Sequence, residues 1–254
     1  KKNKRKIFQF LEFCSENSLY NFDTAIDYES EKIIGEFIRE NNLTNFKIYT
    51  KIPSLKFVKN YNKLDFFKKR IDLSMNNLNS LHTVYFHDEK DLNFFKSNIF
   101  KINNIIKSYK IKNLGFSIYS KNLLKDLLKF KEINSIQLPF NIIDKYLNRT
   151  KLNKTIIARS IFLQGLLINS KLKTKNLILK KFNEKLLKLS KENDIDLYSL
   201  CLNYVLQKSV INKIVVGFDD VAQLKKILKF KQTNINLNHL KLINSLISKG
   251  DYNK

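Results

Sequence analysis

Early in the chain stand four residues whose types could together move a proton: Asp23 and Tyr28 in "NFDTAIDYESEK", Lys51 in "IYTKIP" and His87 in "VYFHDEKDL". A phenol with an ordinary pKa of about 10 is a poor proton donor near neutrality. An ammonium beside it stabilises the phenolate and makes it a better one. A carboxylate paired with that ammonium keeps it charged and in place. A histidine across a pocket donates to a substrate oxygen or relays a proton. Such a set suits protonation of a carbonyl oxygen while a hydride reaches the carbon. Each residue also has a plainer reading: a helix-capping Asp23, one lysine among many at Lys51, a loop aromatic at Tyr28, and a His87–Asp88 turn. The ordered set, rather than any member, favours the chemical reading.

Positioning such a set is the task of the elements that carry it. Short runs rich in β-formers recur at "LYNFDTA" (19–25), "FKIYTK" (46–51), "HTVYFHD" (82–88), "KNLGFS" (112–117), "INSIQLP" (133–139), "IIARS" (156–160) and "KIVVG" (213–217). Helical periodicity fills the stretches between several of them, as in "SEKIIGEFIRENN", "DLNFFKSNIFKINNIIKSYK", "KNLLKDLLKF" and "KNLILKKFNEKLLKLSKEN". "DLYSLCLNYVLQK" and "DDVAQLKKILKF" open on aspartates suited to cap a helix. Alternation of this kind predicts an α/β fold, a parallel sheet with helical crossovers. No G-x-G-x-x-G follows the first strand, which argues against a dinucleotide-binding open sheet. Asp23, Lys51, His87, Ser117, Gln137, Ser160 and Gly217 close the seven predicted strands. The C-terminal rim of a (β/α)8 TIM barrel is where its enzymes build their sites, so a barrel is the architecture expected.

Bulk composition sets the outer limits. The 254 residues are 43% hydrophobic and 28% charged, enough for a substantial core. No apolar run approaches the ~20 residues of a membrane span. The opening "KKNKRKIFQFLEF" is interrupted by Glu12 and lacks a small-residue cleavage site, which excludes a signal peptide. Cys14 and Cys201 support neither a disulfide framework nor a zinc site, so the expectation is a cytoplasmic protein without a metal. The net charge of +24 invites a nucleic-acid reading. Its lysines are spread along helical segments with no recognition motif nearby, so no specific nucleic acid and no membrane are expected as partners.

Taken in order, these segments resemble the aldo-keto reductases. "FDTAIDYESEKIIG" is similar to the family's D-T-A-x-x-Y-G-x-S-E-x-x-L-G, "IYTKIP" to its strand-end T-K, and "VYFHDEKDL" to the strand ending in His. "IKNLGFSIYSKNLLKDLL", "INSIQLPFNIID", "ARSIFLQGLLI" and "IVVGFDDVAQLKKIL" follow collinearly to about residue 230. "RSIFLQGLL" and "FHDEKDL" are similar to the branch often found beside bacterial surface-polysaccharide genes. The resemblance implies a barrel, NADH or NADPH as cofactor, and reduction of a small-molecule carbonyl compound, with a sugar-derived one as the guess for the substrate. It implies Tyr28 as general acid, Lys51 and Asp23 as its tuning pair, and His87 as the group orienting the carbonyl. Ser117 and Gln137 match residues that hold the nicotinamide carboxamide. Gln164 and Gly165 match the pyrophosphate-side loop, Gly217 and Gln223 the segment around the adenosine, and Ser160 counts with them as cofactor-binding. Gly35, Gly115, Gly165 and Gly217 fall at family glycine positions, which points to backbone need.

Several departures accompany the match. Lys1 already lies close to the first helix, so the expected barrel lacks its first strand, and one domain spans 1–254 with a linker and amphipathic helix over 231–254, where His239 is an ordinary packing or surface residue. "YESE" is one residue shorter than Y-G-x-S-E, and a displacement of about 1 Å at a phenol is costly to catalysis. Ile118, Arg159 and Ile227 replace a frequent Asn, a stacking aromatic and an adenine-contacting Asn. Asp219 and Asp220 stand where NADPH-preferring members carry Arg, Lys or Ser, which predicts that NADH serves at least as well. An alternative stays open, a non-catalytic barrel that keeps the tetrad without a working cofactor site.

Overall fold

The computed structural model describes residues 4–144, 147, 152–169, 174–192, 194–230 and 243. The expected linker and helix over 231–254, His239 included, lie outside the described residues apart from Ile243. Seven strands take places in the sheet in the order of the chain, and every described pairing is parallel. The chain divides into two compact units, Lys1–Gln137 and Leu138–Lys254.

The first unit opens on helix α1 (Lys4–Glu16), followed by β1 (Asn21–Asp23), α2 (Ser30–Glu40), β2 (Lys47–Ile52), α3 (Lys63–Leu78), β3 (Thr83–Phe86), α4 (Leu92–Ser108), β4 (Asn113–Ser117), α5 (Lys121–Leu127) and β5 (Ile133–Pro139), whose last two residues belong to the second unit. The register runs Asp23 to Tyr49, Lys51 to Tyr85, Tyr85 to Gly115, and Ser117 to Gln137. In β2 only Lys47 is exposed, and all of β3 is buried, as strands covered on both faces should be. Phe67 of α3, Phe86 of β3 and Phe116 of β4 stack in sequence, with centroids 5.2 and 4.6 Å apart, and Phe95 of α4 closes on Phe116 edge-on at 5.6 Å. That ladder buries large apolar area and fixes the helices against the strands. Glycine allows a close approach between α2 and α3: a Cβ on Gly35 would stand 1.7 Å from the carbonyl oxygen of Asn77.

The second unit carries β6 (Thr155–Arg159), α6 (Leu177–Glu192), α7 (Leu197–Leu206), β7 (Lys213–Ile214) and α8 (Val221–Leu228). As the sequence suggests, Asp196 caps α7 by accepting from the Ser199 N–H at 3.0 Å, and Asp220 caps α8 by accepting from the Gln223 N–H at 2.8 Å. Tyr204 stacks on Phe140 with centroids 6.1 Å apart and donates its hydroxyl to the Asp144 carbonyl at 2.6 Å. All seven strands fall inside or within a residue of their predicted runs, and the structure adds α3, which no named pattern anticipated.

Candidate active site

Asp23 ends β1 and Lys51 lies one residue before the end of β2, so parallel pairing carries both to the same edge of adjacent strands. The Lys51 ammonium donates to Asp23 Oδ1 and, at 2.8 Å, to the Thr24 carbonyl. Gln137, near the end of β5, donates Nε2 to Asp23 Oδ2 at 2.7 Å. The Lys51 side chain is 5% exposed and that of Asp23 17%. A charge so placed is tolerable only when paired and hydrogen-bonded, and removing one partner of such a pair typically costs about 3–5 kcal/mol. Beneath the group, Tyr85 and Ser135 share a hydrogen bond of 2.7 Å, and burial pushes the Tyr85 phenol well above its ordinary pKa.

Tyr28 reaches this group from the turn between β1 and α2. Its ring centre is 6.0 Å from Lys51 Nζ, and the side chain is half exposed. The turn is stitched at both ends. Ile26 N–H donates to the Lys51 carbonyl at 3.4 Å, Tyr28 N–H to the Ala25 carbonyl at 2.9 Å, and Thr24 and Ser30 share a hydroxyl hydrogen bond of 2.8 Å.

His87 follows β3, its N–H donating to the Ile52 carbonyl at 3.0 Å. It lines a cleft of about 250 Å³ with Ser54, Asp88, Glu89 and Tyr119. Carboxylates tie the surrounding loops together. Glu89 Oε2 accepts from the N–H groups of Tyr119 and Ser120 at 2.7 and 2.8 Å, and Asp88 accepts from the Ser54 hydroxyl at 2.7 Å. Burial opposes ionisation of Asp88, but the Lys90 N–H and the Ser54 hydroxyl outweigh it and hold the carboxyl below its ordinary range. Buried Asp91 accepts from the Leu55 N–H, and burial pushes its carboxyl up to about 6.

The residues present fit the nicotinamide end of the expected cofactor. Gln137 Oε1 is a buried acceptor with no hydrogen-bond partner among the described residues. The buried Ser117 is its register neighbour on β4. An unmet buried acceptor is costly unless a ligand donates to it, as a carboxamide would.

In the second unit, Ser160, Leu163, Gln164 and Gly165 all have positive φ, at 57°, 46°, 55° and 87°. Left-handed backbone is costly for Leu and Gln and free only for Gly165, and strain of this kind gathers at ligand-binding segments. Gln223 is partly committed, its Oε1 accepting from the Asp219 N–H at 3.2 Å while Asp220 caps its own N–H. At Gly217 neither protein packing nor φ asks for glycine, which leaves close approach of a cofactor as the need expected there. A Cβ there meets nothing within 4 Å and its φ is not left-handed, whereas packing at Gly35 and Gly115 and φ at Gly165 do demand glycine.

The residues that sequence analysis passed over are the supports: Thr24, Glu31, Thr50, Ser74, Glu89 and Asp91. Glu31 was the most legible of them. It occupies the buried stripe of α2 with Ile34, Gly35 and Ile38, and a carboxylate in an inward stripe calls for partners.

Parallel strands with intervening helices, and a polar cluster at the strand ends, define an α/β protein of the enzyme-bearing kind. A profile of the aldo/keto reductase family matches residues 1–248, and the chain belongs to that family of NAD(P)H-dependent carbonyl oxidoreductases. Solved structures share the fold. The aldo-keto reductase AKR11C1 from Bacillus halodurans in its holo form aligns with a TM-score of 0.78 at 18% identity, covering 100% of this chain and 91% of that one. The glycerol dehydrogenase AKR11B4 from Gluconobacter oxydans aligns with a TM-score of 0.75 at 16% identity, covering 98% and 87%. Among curated proteins no match is found. No helix among the described residues is long and apolar enough to cross a membrane.

Proposed function

We propose that the chain reduces an aldehyde or ketone, of a class that includes sugar-derived carbonyl compounds, to the alcohol, with Tyr28 giving the proton. The observation that carries this reading is the buried Lys51–Asp23 pair held beside Tyr28 at the strand ends. When bound, the reduced nicotinamide supplies a hydride to the carbonyl carbon. The Tyr28 hydroxyl then gives its proton to the carbonyl oxygen, and the Lys51 ammonium stabilises the phenolate left behind. Asp23 holds that ammonium charged, and Gln137 holds Asp23 in turn. His87, lining the cleft, orients the carbonyl by donating to its oxygen.

Gln137 Oε1 and Ser117 receive the carboxamide. The second unit's Ser160, Gln164, Gly165, Gly217 and Gln223 keep the cofactor assignment that the family resemblance gives them. Exposed Asp219 and Asp220 repel a 2′-phosphate, so NADH is used at least as well as NADPH. The setting proposed is cytoplasmic.

One observation favours the second reading, a non-catalytic barrel that keeps the tetrad without a working cofactor site: half of Tyr28 faces solvent and its hydroxyl makes no hydrogen bond among the described residues. Titration with NADH and NADPH by quenching of tyrosine fluorescence, followed by a panel of neutral and sugar aldehydes, separates the two. Saturable binding with consumption of the reduced cofactor supports the reductase. Absence of binding by either cofactor supports the second reading, and binding without turnover on any aldehyde contradicts Tyr28 as the proton donor.

A further inference from the structure

We infer that Glu31 is a positioning residue for the reaction, a buried clamp that holds the turn carrying Tyr28 to the strand carrying Lys51. The inference rests on the reductase reading above and adds to it a residue that neither touches substrate nor belongs to the tetrad.

Glu31 lies in the first turn of α2, 1% exposed. Its Oε1 accepts from the Thr50 hydroxyl at 2.5 Å, both its oxygens accept from the Ser74 hydroxyl at 3.0 Å, and Oε2 accepts from the Asn77 amide at 3.3 Å. Thr50 and Ser74 are fully buried. The four bonds therefore tie three elements, α2, β2 and α3, at a point shut off from water.

Their placement along the chain matters more than their number. Thr50 immediately precedes Lys51. Tyr28 is three residues before Glu31, and the Glu31 N–H donates to the Tyr28 carbonyl at 3.5 Å. The segment 23–31 is thus fixed to β2 twice. At its start Asp23, Thr24 and Ile26 all bond Lys51. At its end Glu31 bonds Thr50. Tyr28 lies between the two fixings with no hydrogen bond of its own side chain among the described residues, so its position over the ammonium is inherited from them. This turn is also where the chain is one residue shorter than the family pattern, which leaves less slack between the fixings. A fold that needed Glu31 only for helix packing would be served by the bonds to Ser74 and Asn77 alone.

The two hydroxyl donors give the test. Thr50→Val and Ser74→Ala each remove one donor from the same buried carboxylate, but only Thr50→Val cuts the link to the Lys51 strand. Thr50→Ser keeps that link. The inference predicts that Thr50→Val lowers kcat about tenfold, with KM and the NADH dissociation constant within about twofold of the parent. Ser74→Ala and Thr50→Ser stay near the parent in kcat. Peptide-level hydrogen exchange, a readout that needs no turnover, rises over residues 24–31 in Thr50→Val and not in Ser74→Ala. If Thr50→Val and Ser74→Ala match each other in both kcat and exchange, Glu31 is a packing residue and the inference is overturned. A parent that binds NADH but turns over no carbonyl overturns the reductase reading itself, and equal exchange in the two variants would then remove the clamp as well.

Discussion

Removing the Lys51 ammonium is the perturbation whose size the structure sets most directly. Lys51→Met keeps the bulk of the side chain but strips Asp23 of its ion-pair partner and the Thr24 carbonyl of its donor. Loss of one member of a buried pair typically costs about 3–5 kcal/mol. Here the Asp23 side chain retains 17% exposure and its bond from Gln137, so the lower end, about 3 kcal/mol, is expected. Asp23→Asn leaves the ammonium buried with weaker acceptors and is expected to cost about 2 kcal/mol. The double variant carries no stranded charge, so its cost falls below the sum by about 1–3 kcal/mol. Urea denaturation followed by tyrosine fluorescence measures all four proteins, since the chain has no Trp. Single costs below about 1 kcal/mol that simply add would refute the argument that the pair is buried and coupled.

Three further outcomes follow from the same geometry. Burial pushes the folded Asp91 carboxyl up to about 6 from its ordinary value of about 4, so between the two the folded state holds a proton the unfolded state has lost. Its contribution is therefore full below the unfolded pKa and is lost as pH rises through about 6, and Asp91→Asn should stabilise by about 1–3 kcal/mol at pH about 8 while gaining nothing near pH 4; urea midpoints at the two pH values check it, and equal gains contradict it. Gly35→Ala drives a Cβ into the Asn77 carbonyl and should cost about 1–3 kcal/mol, whereas Gly217→Ala, with open space around it, should lie within about 0.5 kcal/mol of the parent; thermal unfolding of the two variants decides. Asp88 and Glu89 line the cleft beside His87, so a carboxylate-bearing aldehyde should show kcat/KM about tenfold below its neutral ester, a gap that narrows in Asp88→Asn; equal values for acid and ester contradict an acidic cleft.

Period and punctuation made most of the scaffold readable. Runs such as "INSIQLP" and "KIVVG" announce buried strands, but only pairing decides where a ladder stops, so β7 ends at Ile214 although the apolar run continues to Val216. Helix α3 is harder to read from the sequence because its inward stripe, Phe67, Ile71, Ser74 and Leu78, is broken by a serine that bonds Glu31. The candidate tetrad was legible because Asp23, Lys51 and His87 stand at or beside the ends of their strands. What joins them was not. That Gln137 reaches across to Asp23 depends on the curl that brings β5 and β1 together, and no local pattern encodes a contact over so long a stretch of chain. The left-handed turn at Leu163 and Gln164 was equally silent, since neither residue type advertises positive φ. Gly217 shows the reverse case, a residue that matched a family position while the protein around it makes no demand for glycine, so any demand would come from a bound cofactor.

The central claim is that Tyr28 supplies the proton and does not supply the binding. It is tested most directly by comparing the parent with Tyr28→Phe, first for NADH binding by fluorescence quenching and then for aldehyde-dependent consumption of NADH. The account predicts binding within about twofold of the parent, together with turnover reduced at least ~100-fold. A variant that turns over at the parent's rate would contradict it, as would a parent that binds neither NADH nor NADPH.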